Sequence, residues 1–430
     1  MEKGDLFLKF KELLSFVFEN KYSDFYRLKY DKAGFNPLSD FNSLNDIKKI
    51  PFLNKEELSA VDPFKLLFAE EEEIKYISAT SGTTGEPFLT FFSYCSDDNL
   101  IKLAKSRHAK HRIGERMLLL VNPIRAPRAF FIFQKIGLRV LVGDIHNLPA
   151  SLLLASKLKI DTIATSFSLA IILKKYLENC PNLKKSLKYI LLSGEAITPY
   201  RKQVLQKFYP NVKIVLEYGL SEAGGTVAFQ CPFLAERSRP ICYHPWTDVY
   251  FELINPETGK EVEFKKEGEL VLTIFNNLAT PLIRYKTGDL ANFIKNDCSC
   301  GSPGPLLRIL ERAKYDIVKV GGVELRREML EKPILKLKDY LENSFEAHIY
   351  ENFVGDKPRI KMQLNLSLKK EVKESPELRQ KIESELLENW RLSPKLNLKK
   401  AVEAGFFEKP QINFIQFPLS EKSRQVLILH

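Results

Sequence analysis

No apolar stretch of this 430-residue chain approaches the ~20 residues that a membrane-spanning helix needs. The longest candidate, Ser166–Leu173, stops at Lys174 and Lys175. The N-terminal residues are not expected to be a secretory leader either. A leader would need an unbroken apolar core and a small-residue cleavage site, whereas here Glu2, Lys3 and Asp5 precede an amphipathic pattern of Leu6, Phe10, Leu13, Leu14, Val17 and Phe18. The location this predicts is cytoplasmic. Cysteine is scarce, with six residues, and in a cytoplasmic chain so few do not read as a disulfide framework. Internal repeats and long low-complexity segments are lacking. So are clusters of Lys and Arg interleaved with aromatics, the footprint of nucleic-acid binding. The net charge of +11 comes from residues spread along the chain, a surface suited to anionic ligands and acidic partners.

What is present begins with Ile77-Ser78-Ala79-Thr80-Ser81-Gly82-Thr83-Thr84-Gly85-Glu86-Pro87, a run of small, hydroxyl-bearing and glycine residues. Gly82 and Gly85 let backbone N–H groups approach a ligand, and Thr80, Ser81, Thr83 and Thr84 add hydroxyl donors. Converging donors suit a polyphosphate. The run is not a P-loop, because no Lys follows the second glycine. On composition alone it is equally an ordinary Ser/Thr/Gly turn.

Hydrophobic content of 44% against 28% charged residues fits a globular protein, and the length allows two or three domains. Residues 1–60 read as short helices, with Asn54 as an N-cap followed by Glu56 and Glu57. From about 74 to 310, β-rich runs (Met117–Val121, Arg139–Val142, Ile160–Ala164, Tyr189–Leu192, Lys213–Leu216) alternate with helical ones (Ser96–His108, Ala150–Leu158, Phe167–Leu177, Pro199–Phe208). That alternation predicts a mainly parallel α/β sheet. Val249–Ile254, Glu269–Phe275 and Ala291–Ile294 read as an antiparallel β section. The remainder reads as a smaller α+β unit, with strands near Ile317–Val320, Ala347–Glu351 and Arg359–Asn365 and helices near Arg326–Leu337 and Pro376–Trp390. The predicted fold class is therefore α/β, with a large N-terminal domain over 1–310 and a smaller α+β C-terminal domain over 311–430.

Four further motifs follow the first in order: Ser193-Gly194-Glu195-Ala196, Tyr218-Gly219-Leu220-Ser221-Glu222, Pro281-Leu282-Ile283-Arg284-Tyr285-Lys286-Thr287-Gly288-Asp289-Leu290, and Arg308–Arg312 with Val318–Glu324. Together they resemble the adenylate-forming superfamily of acyl-CoA synthetases, peptide-synthetase adenylation domains and luciferases. The phrases IPFLNKEEL, SATSGTTGEP, EYGLSE, INPETG and TPLIRYKTGDL stand in the order and spacing of its phenylacetate–CoA ligase branch, from about residue 20 onward.

The resemblance implies a role for each residue. Thr80, Ser81, Gly82, Thr83, Thr84 and Gly85 would hold the β- and γ-phosphates of ATP and the leaving pyrophosphate, with Thr83 counted among the catalytic residues. Glu222, on a loop after a strand, would coordinate Mg²⁺ bridging the phosphates, as hard oxygen ligands do. Tyr218 would flank adenine, with Gly219 and Ser221 in the same nucleotide site, and Gly194 and Glu195 would line the adenine and acyl sites. Asp289 would accept both ribose hydroxyls, two carboxylate oxygens matching a cis-diol, and Arg312 would support the ribose or phosphate. Lys422, in Ser420-Glu421-Lys422-Ser423-Arg424, would stabilise charge developing in the first transition state. The C-terminal domain would be a mobile lid. Taken singly, Glu222 is also a plain loop carboxylate and Asp289 a turn residue after Gly288.

The chain departs from the branch in places. Glu86 stands where Lys is frequent, Glu421 stands where Gly is usual, and the hinge falls on Lys314 or on Tyr315, according to whether Arg312 or Gly322 anchors it. Cys298-Ser299-Cys300-Gly301 is a C-x-C-G knuckle, and Cys231 and His244 precede it. Three thiolates and an imidazole make a closed, structural zinc set, an arrangement that some members of the branch resemble. Free buried thiols are the plainer reading, and Cys242 competes for the fourth place. The activity implied is ATP-dependent conversion of a carboxylic acid, aryl or arylacetic by analogy, to an acyl-adenylate, then transfer to coenzyme A. The rival acceptors are the phosphopantetheine of an acidic carrier protein and an amine. Two further rivals are an enzyme that adenylates a cofactor and a non-catalytic ATP-binding protein. No nucleic-acid partner is expected, and a homodimer is left open.

Overall fold

Phe10, Leu13, Leu14 and Val17 fall on one stripe of the first helix, Lys3–Phe18, and are its buried residues. The stripe packs on a β section more than two hundred residues away: the Phe10 ring meets Tyr250 and Phe275 edge-on, with centroids 5.2 and 5.1 Å apart. Tyr26, on the next helix, donates its hydroxyl to the Pro281 carbonyl at 2.9 Å and accepts from Ile283 N at 3.1 Å. The structure, a computed structural model, describes residues 3–79, 88–93, 98, 101–102, 104–105, 113–123, 126–195, 197–237, 240–312, 317–320, 323–354, 357–393, 396–415 and 425–429. The chain divides into two compact units, Met1–Leu310 and Glu311–His430.

In the first unit, β1 (Ile74–Ala79) and β2 (Leu89–Ser93) pair antiparallel. A seven-stranded sheet follows, built from β3 (Arg116–Leu119), β4 (Arg139–Val142), β5 (Thr162–Thr165), β6 (Tyr189–Leu192), β7 (Lys213–Leu220), β8 (Gly225–Phe229) and β9 (His244–Pro245) in the order β4-β3-β5-β6-β7-β8-β9. Strands β4 to β7 of that order run parallel, and β8 and β9 add antiparallel. The crossover helices start on side-chain caps: Asn147 accepts from Ala150 N, Ser166 from Leu169 N and Thr198 from Arg201 N. A third sheet holds β10 (Val249–Ile254), β11 (Gly268–Ile274), β12 (Tyr285–Ile294) and β13 (Leu306–Arg312) in that order.

Two boundaries differ from expectation for the same reason. Strand β7 continues to Leu220 because Glu217–Leu220 find partners in β8, so Tyr218 and Gly219 sit on a strand while Ser221 and Glu222 form the turn after it. The strand expected over Ala291–Ile294 begins earlier, at Tyr285, so Tyr285–Leu290 of the RYKTGDL motif form the first half of β12, paired with Glu269–Leu272 of β11. Pairing partners far away in sequence decide both, and local periodicity does not report them. Most of the helix expected over Ser96–His108 lies outside the described residues. The first N-terminal helix is longer than the short helices expected there, running for 16 residues.

In the second unit, β14 (Ile317–Val320) and β15 (Val323–Arg326) form a hairpin, and β16 (Leu341–Val354) pairs with β17 (Lys357–Leu368) over a longer ladder than alternation predicts. After the small pair β18 (Arg391–Ser393) and β19 (Leu396–Asn397), β20 (Gln411–Phe414) and β21 (Gln425–Leu429) complete a sheet of order β20-β17-β16-β21. Its inner face (Phe345, Ala347, Ile349, Ile360, Met362, Leu364) packs on Leu330, Ile334, Ile382 and Leu386 of two helices. Among the described residues no helix is long and apolar enough to cross a membrane.

Candidate active site and metal centre

The end of β7 is built for close backbone approach. A Cβ on Gly219 would lie 2.6 Å from the Gly225 carbonyl oxygen, so the β7–β8 crossing needs glycine there. Next to it, Tyr218 donates its hydroxyl to Asp289 Oδ2 at 2.6 Å. Two motifs 71 residues apart in sequence thus share one corner. Asp289 is 5% exposed, and Gly288 before it takes φ +74. Thr287 steadies this irregular stretch of β12, donating to Leu270 O at 2.9 Å and accepting from Asp289 N at 3.1 Å.

Glu222 follows in the turn after β7 and is 8% exposed. Thr90 Oγ1 donates to its carbonyl at 3.5 Å. Thr90 pairs with Ser78 near the end of the β1–β2 pair, where Ala79 faces Leu89. The strand ends flanking residues 80–87 therefore lie beside Glu222. Its carboxylate faces Lys55, with Nζ 3.6 Å from Oε1. Lys55 opens the helix Lys55–Ser59, where the expected N-cap Asn54 forms a capping box: Asn54 accepts from Glu57 N, and Glu57 accepts from Asn54 N. Leu53 N donates to Arg284 O at 3.0 Å, and Lys286 N to Leu53 O at 2.8 Å, which straps this segment along the start of β12.

Arg284 itself, expected only as part of its motif, proves structural. It is 3% exposed, with Nε 3.1 Å and Nη2 2.9 Å from the two carboxylate oxygens of Glu252, and Nη1 donates to Ile50 O at 2.6 Å. Its guanidinium lies 4.0 Å from the Phe52 ring centroid. Burial pushes the Glu252 carboxyl up, and the Arg284 charge opposes that shift.

Gly194 takes φ +81 after β6. Glu195 accepts from Ser168 N at 3.1 Å and Ser168 Oγ at 2.8 Å, a carboxylate at the start of the helix Phe167–Leu177. In the fold it therefore serves that helix. Thr80–Gly85, Glu86, Lys314, Tyr315, Glu421 and Lys422 lie outside the described residues, as does the side chain of Arg312 at the end of β13. Sequence reasoning does not single out Lys55. It stands inside the IPFLNKEEL phrase, but only the fold shows that it faces Glu222.

The second constellation is buried. Cys231 Sγ, His244, Cys298 Sγ and Cys300 Sγ present ligand atoms all within 4.8 Å of one another. The Cys231 and Cys298 sulfurs are 3.4 Å apart, and Cys300 Sγ is 3.2 Å from His244 Nε2. Each element aims its ligand for a reason. Cys231 caps the helix Pro232–Glu236, accepting from Leu234 N at 3.4 Å. His244 is the first residue of β9 and pairs with Phe229. Asn296 organises the knuckle by accepting from Cys298 N and donating to Ser302 O and Gly304 O. Arg237 ties the two segments through Asp297 at 2.6 Å. Cys242 packs in the same apolar cluster but is not one of the four convergent ligands.

Burial pushes the Cys231 thiol up to about 12 and raises Cys298. Cys300 is also driven up by burial, but hydrogen bonds with Ser302 and the neighbouring sulfurs bring it below its ordinary value. Soft sulfur plus one imidazole in a closed set is the donor chemistry of zinc, so these residues fit that ion. Glu222 fits Mg²⁺ differently. One carboxylate is what this ion takes from a protein when substrate phosphates supply further oxygens.

A profile of the AMP-binding enzyme family matches residues 33–275. The phenylacetate–coenzyme A ligase of Thermus thermophilus is 28% identical over 348 residues, covering 77% of this chain and 74% of that protein. The enzyme of the same name from Escherichia coli is 26% identical over 381 residues, covering 85% and 82%. A crystal structure of 2-hydroxyisobutyryl-CoA ligase with 2-HIB-AMP and CoA superposes with a TM-score of 0.68 at 18% identity, covering 99% of this chain and 89% of that one, which shows a shared fold. The chain belongs to the AMP-binding enzyme family and, within the adenylate-forming superfamily, to the phenylacetate–CoA ligase-like branch, as an AMP-forming acid–thiol ligase.

Proposed function

We propose that this protein activates an aryl or arylacetic acid with ATP and passes the acyl group to coenzyme A. In the first step a carboxylate oxygen attacks the α-phosphorus and the bond to pyrophosphate breaks. In the second the sulfur of the thiol attacks the acyl carbon, the thiol proton is released and AMP leaves with the bonding electrons. The observation that carries this reading is the hydrogen bond between Tyr218 and Asp289, one turn from Glu222, which gathers an aromatic ring and two carboxylates from separate motifs. Asp289 holds the ribose, Tyr218 flanks adenine with Gly219 and Ser221, and Gly194 and Glu195 line the base and acyl sites. On this reading Thr80–Gly85 would take the phosphates, Glu222 would hold a Mg²⁺ whose charge neutralises them, Lys422 and Arg312 would stabilise the charge developing on the nucleotide, and 311–430 would serve as a lid that excludes water.

Pyrophosphate release with a panel of acids tests the first step. Arylacetic acids should release it fastest, and no release with any acid would sink the reading. Adding coenzyme A, a carrier protein or an amine then identifies the acceptor. Zinc at Cys231, His244, Cys298 and Cys300 is part of the same proposal, as a structural ion. Purified protein should hold about one zinc per chain, and Cys300→Ser should lower zinc content and thermal stability together. Full stability in protein stripped of metal would refute the zinc site.

A further inference from the structure

We propose that Lys55 is a nucleotide-binding residue whose ammonium engages the terminal phosphates of ATP, an assignment that rests on the adenylation reading above. Three observations carry it. The glycine-rich run from Thr80 to Pro87 contains one charged residue, Glu86, so the segment expected to hold a polyanion brings a negative charge and no cation. Lys55 faces Glu222, the carboxylate proposed to share a cation with those same phosphates, at 3.6 Å. That separation is too long for a hydrogen bond, and the Lys55 side chain is 38% exposed while that of Glu222 is 11% exposed. A single-point contact of this kind binds weakly and leaves the ammonium able to exchange partners.

Position and competition point the same way. The double backbone contact of Leu53 with Arg284 and Lys286 fixes Lys55 beside the strand that carries Asp289. Among the described residues, other cations of this region are engaged elsewhere: Lys29 with Glu57 at 2.5 Å, Lys286 with Glu269 at 2.9 Å, and Arg128 with the Tyr76 hydroxyl and the Gly224 carbonyl. An ammonium is a compact point charge with rotatable donors, suited to phosphates whose charge shifts as pyrophosphate departs.

The test is calorimetric binding of Mg·ATP and of AMP to the full-length wild type, Lys55→Met and Lys55→Arg. AMP lacks the β- and γ-phosphates, so it separates this contact from the rest of the site. Lys55→Met should weaken ATP about tenfold or more, leave AMP within about twofold, and weaken pyrophosphate in proportion to ATP. Lys55→Arg should recover most of the ATP affinity. Unchanged ATP affinity in Lys55→Met, or equal losses for ATP and AMP, would overturn the assignment. Wild-type protein that binds neither nucleotide would overturn the adenylation reading itself.

Discussion

Two ion pairs stand close together along the same strapped segment and differ in every physical respect. Arg284 and Glu252 meet through two hydrogen bonds at 2.9 and 3.1 Å, with side chains 4% and 8% exposed and a third guanidinium bond going to Ile50. Lys55 and Glu222 meet once, at 3.6 Å, with side chains 38% and 11% exposed. The first pair is saturated, because the bidentate fork uses both carboxylate oxygens and no ligand can enter without leaving a buried charge unpaired. The second pair has, among the described residues, no further side-chain partner on either side. Within a few residues the chain thus places a charged contact that holds the fold and one that can be exchanged for a ligand, and saturation tells them apart better than residue type does.

The sharpest way to break that contrast is Glu252→Ala, which strands the Arg284 cation in the interior. It should cost about 3–5 kcal/mol, read as a lower urea midpoint with the slope unchanged. A loss below about 1 kcal/mol would show that water reaches Arg284 and that the pair is not structural. Next in size is Asp289→Ala, which removes the proposed ribose acceptor and the partner of Tyr218. ATP and AMP should both lose about 1.5–3 kcal/mol of binding free energy by calorimetry, unlike the ATP-selective loss at Lys55. Nucleotide affinities equal to wild type would remove Asp289 from the ribose.

Lys202 supplies a smaller, pH-dependent case. It is fully buried and donates to Ala235 O at 2.8 Å and Arg237 O at 2.7 Å, closing the helix that Cys231 opens. Lys202→Met should cost about 1–2 kcal/mol at neutral pH. Burial lowers the Lys202 amine to about 8 from an ordinary 10.5. Between those values the unfolded chain holds the proton and the folded one has released it, so Lys202 contributes stability that grows as pH rises through that window. The gap between wild type and Lys202→Met should widen from about pH 7 to about 9.5 in parallel denaturation curves, and a constant gap would refute the shifted amine. The smallest effect belongs to Glu222→Gln. Stability should move by no more than about 0.5 kcal/mol, while the Mg²⁺ dependence of ATP binding flattens. An unaltered metal dependence would take Glu222 out of the Mg²⁺ role.

The α/β alternation is readable in the sequence because buried strands such as Tyr189–Leu192 and capped helices such as Phe167–Leu177 announce themselves locally. The convergent set Cys231, His244, Cys298 and Cys300 is legible from residue type and spacing, since few other residues compete for that chemistry. Tyr218 on a strand, Asp289 inside β12 and Lys55 against Glu222 are not. Each is settled by a partner distant in the chain, and a lysine among so many carries no local mark of its neighbour. Arg284 shows the converse. Its motif points to a function, and the surrounding carboxylate, carbonyl and ring make it a structural residue.

The strap between the first helices and the β10–β12 sheet also orders events in time. Tyr26 reaches Pro281 across 255 residues of chain, and Arg284 reaches Ile50 across 234. During synthesis at ~5–20 residues per second, the N-terminal segment waits roughly ten to fifty seconds for the strand it packs against. Until β12 emerges, the apolar stripe of Lys3–Phe18 has no completed sheet to cover, and Lys55 has no neighbouring strand to hold it. The corner where Tyr218 meets Asp289 is thus completed late on the ribosome, and the segment made first is among the last to find its place.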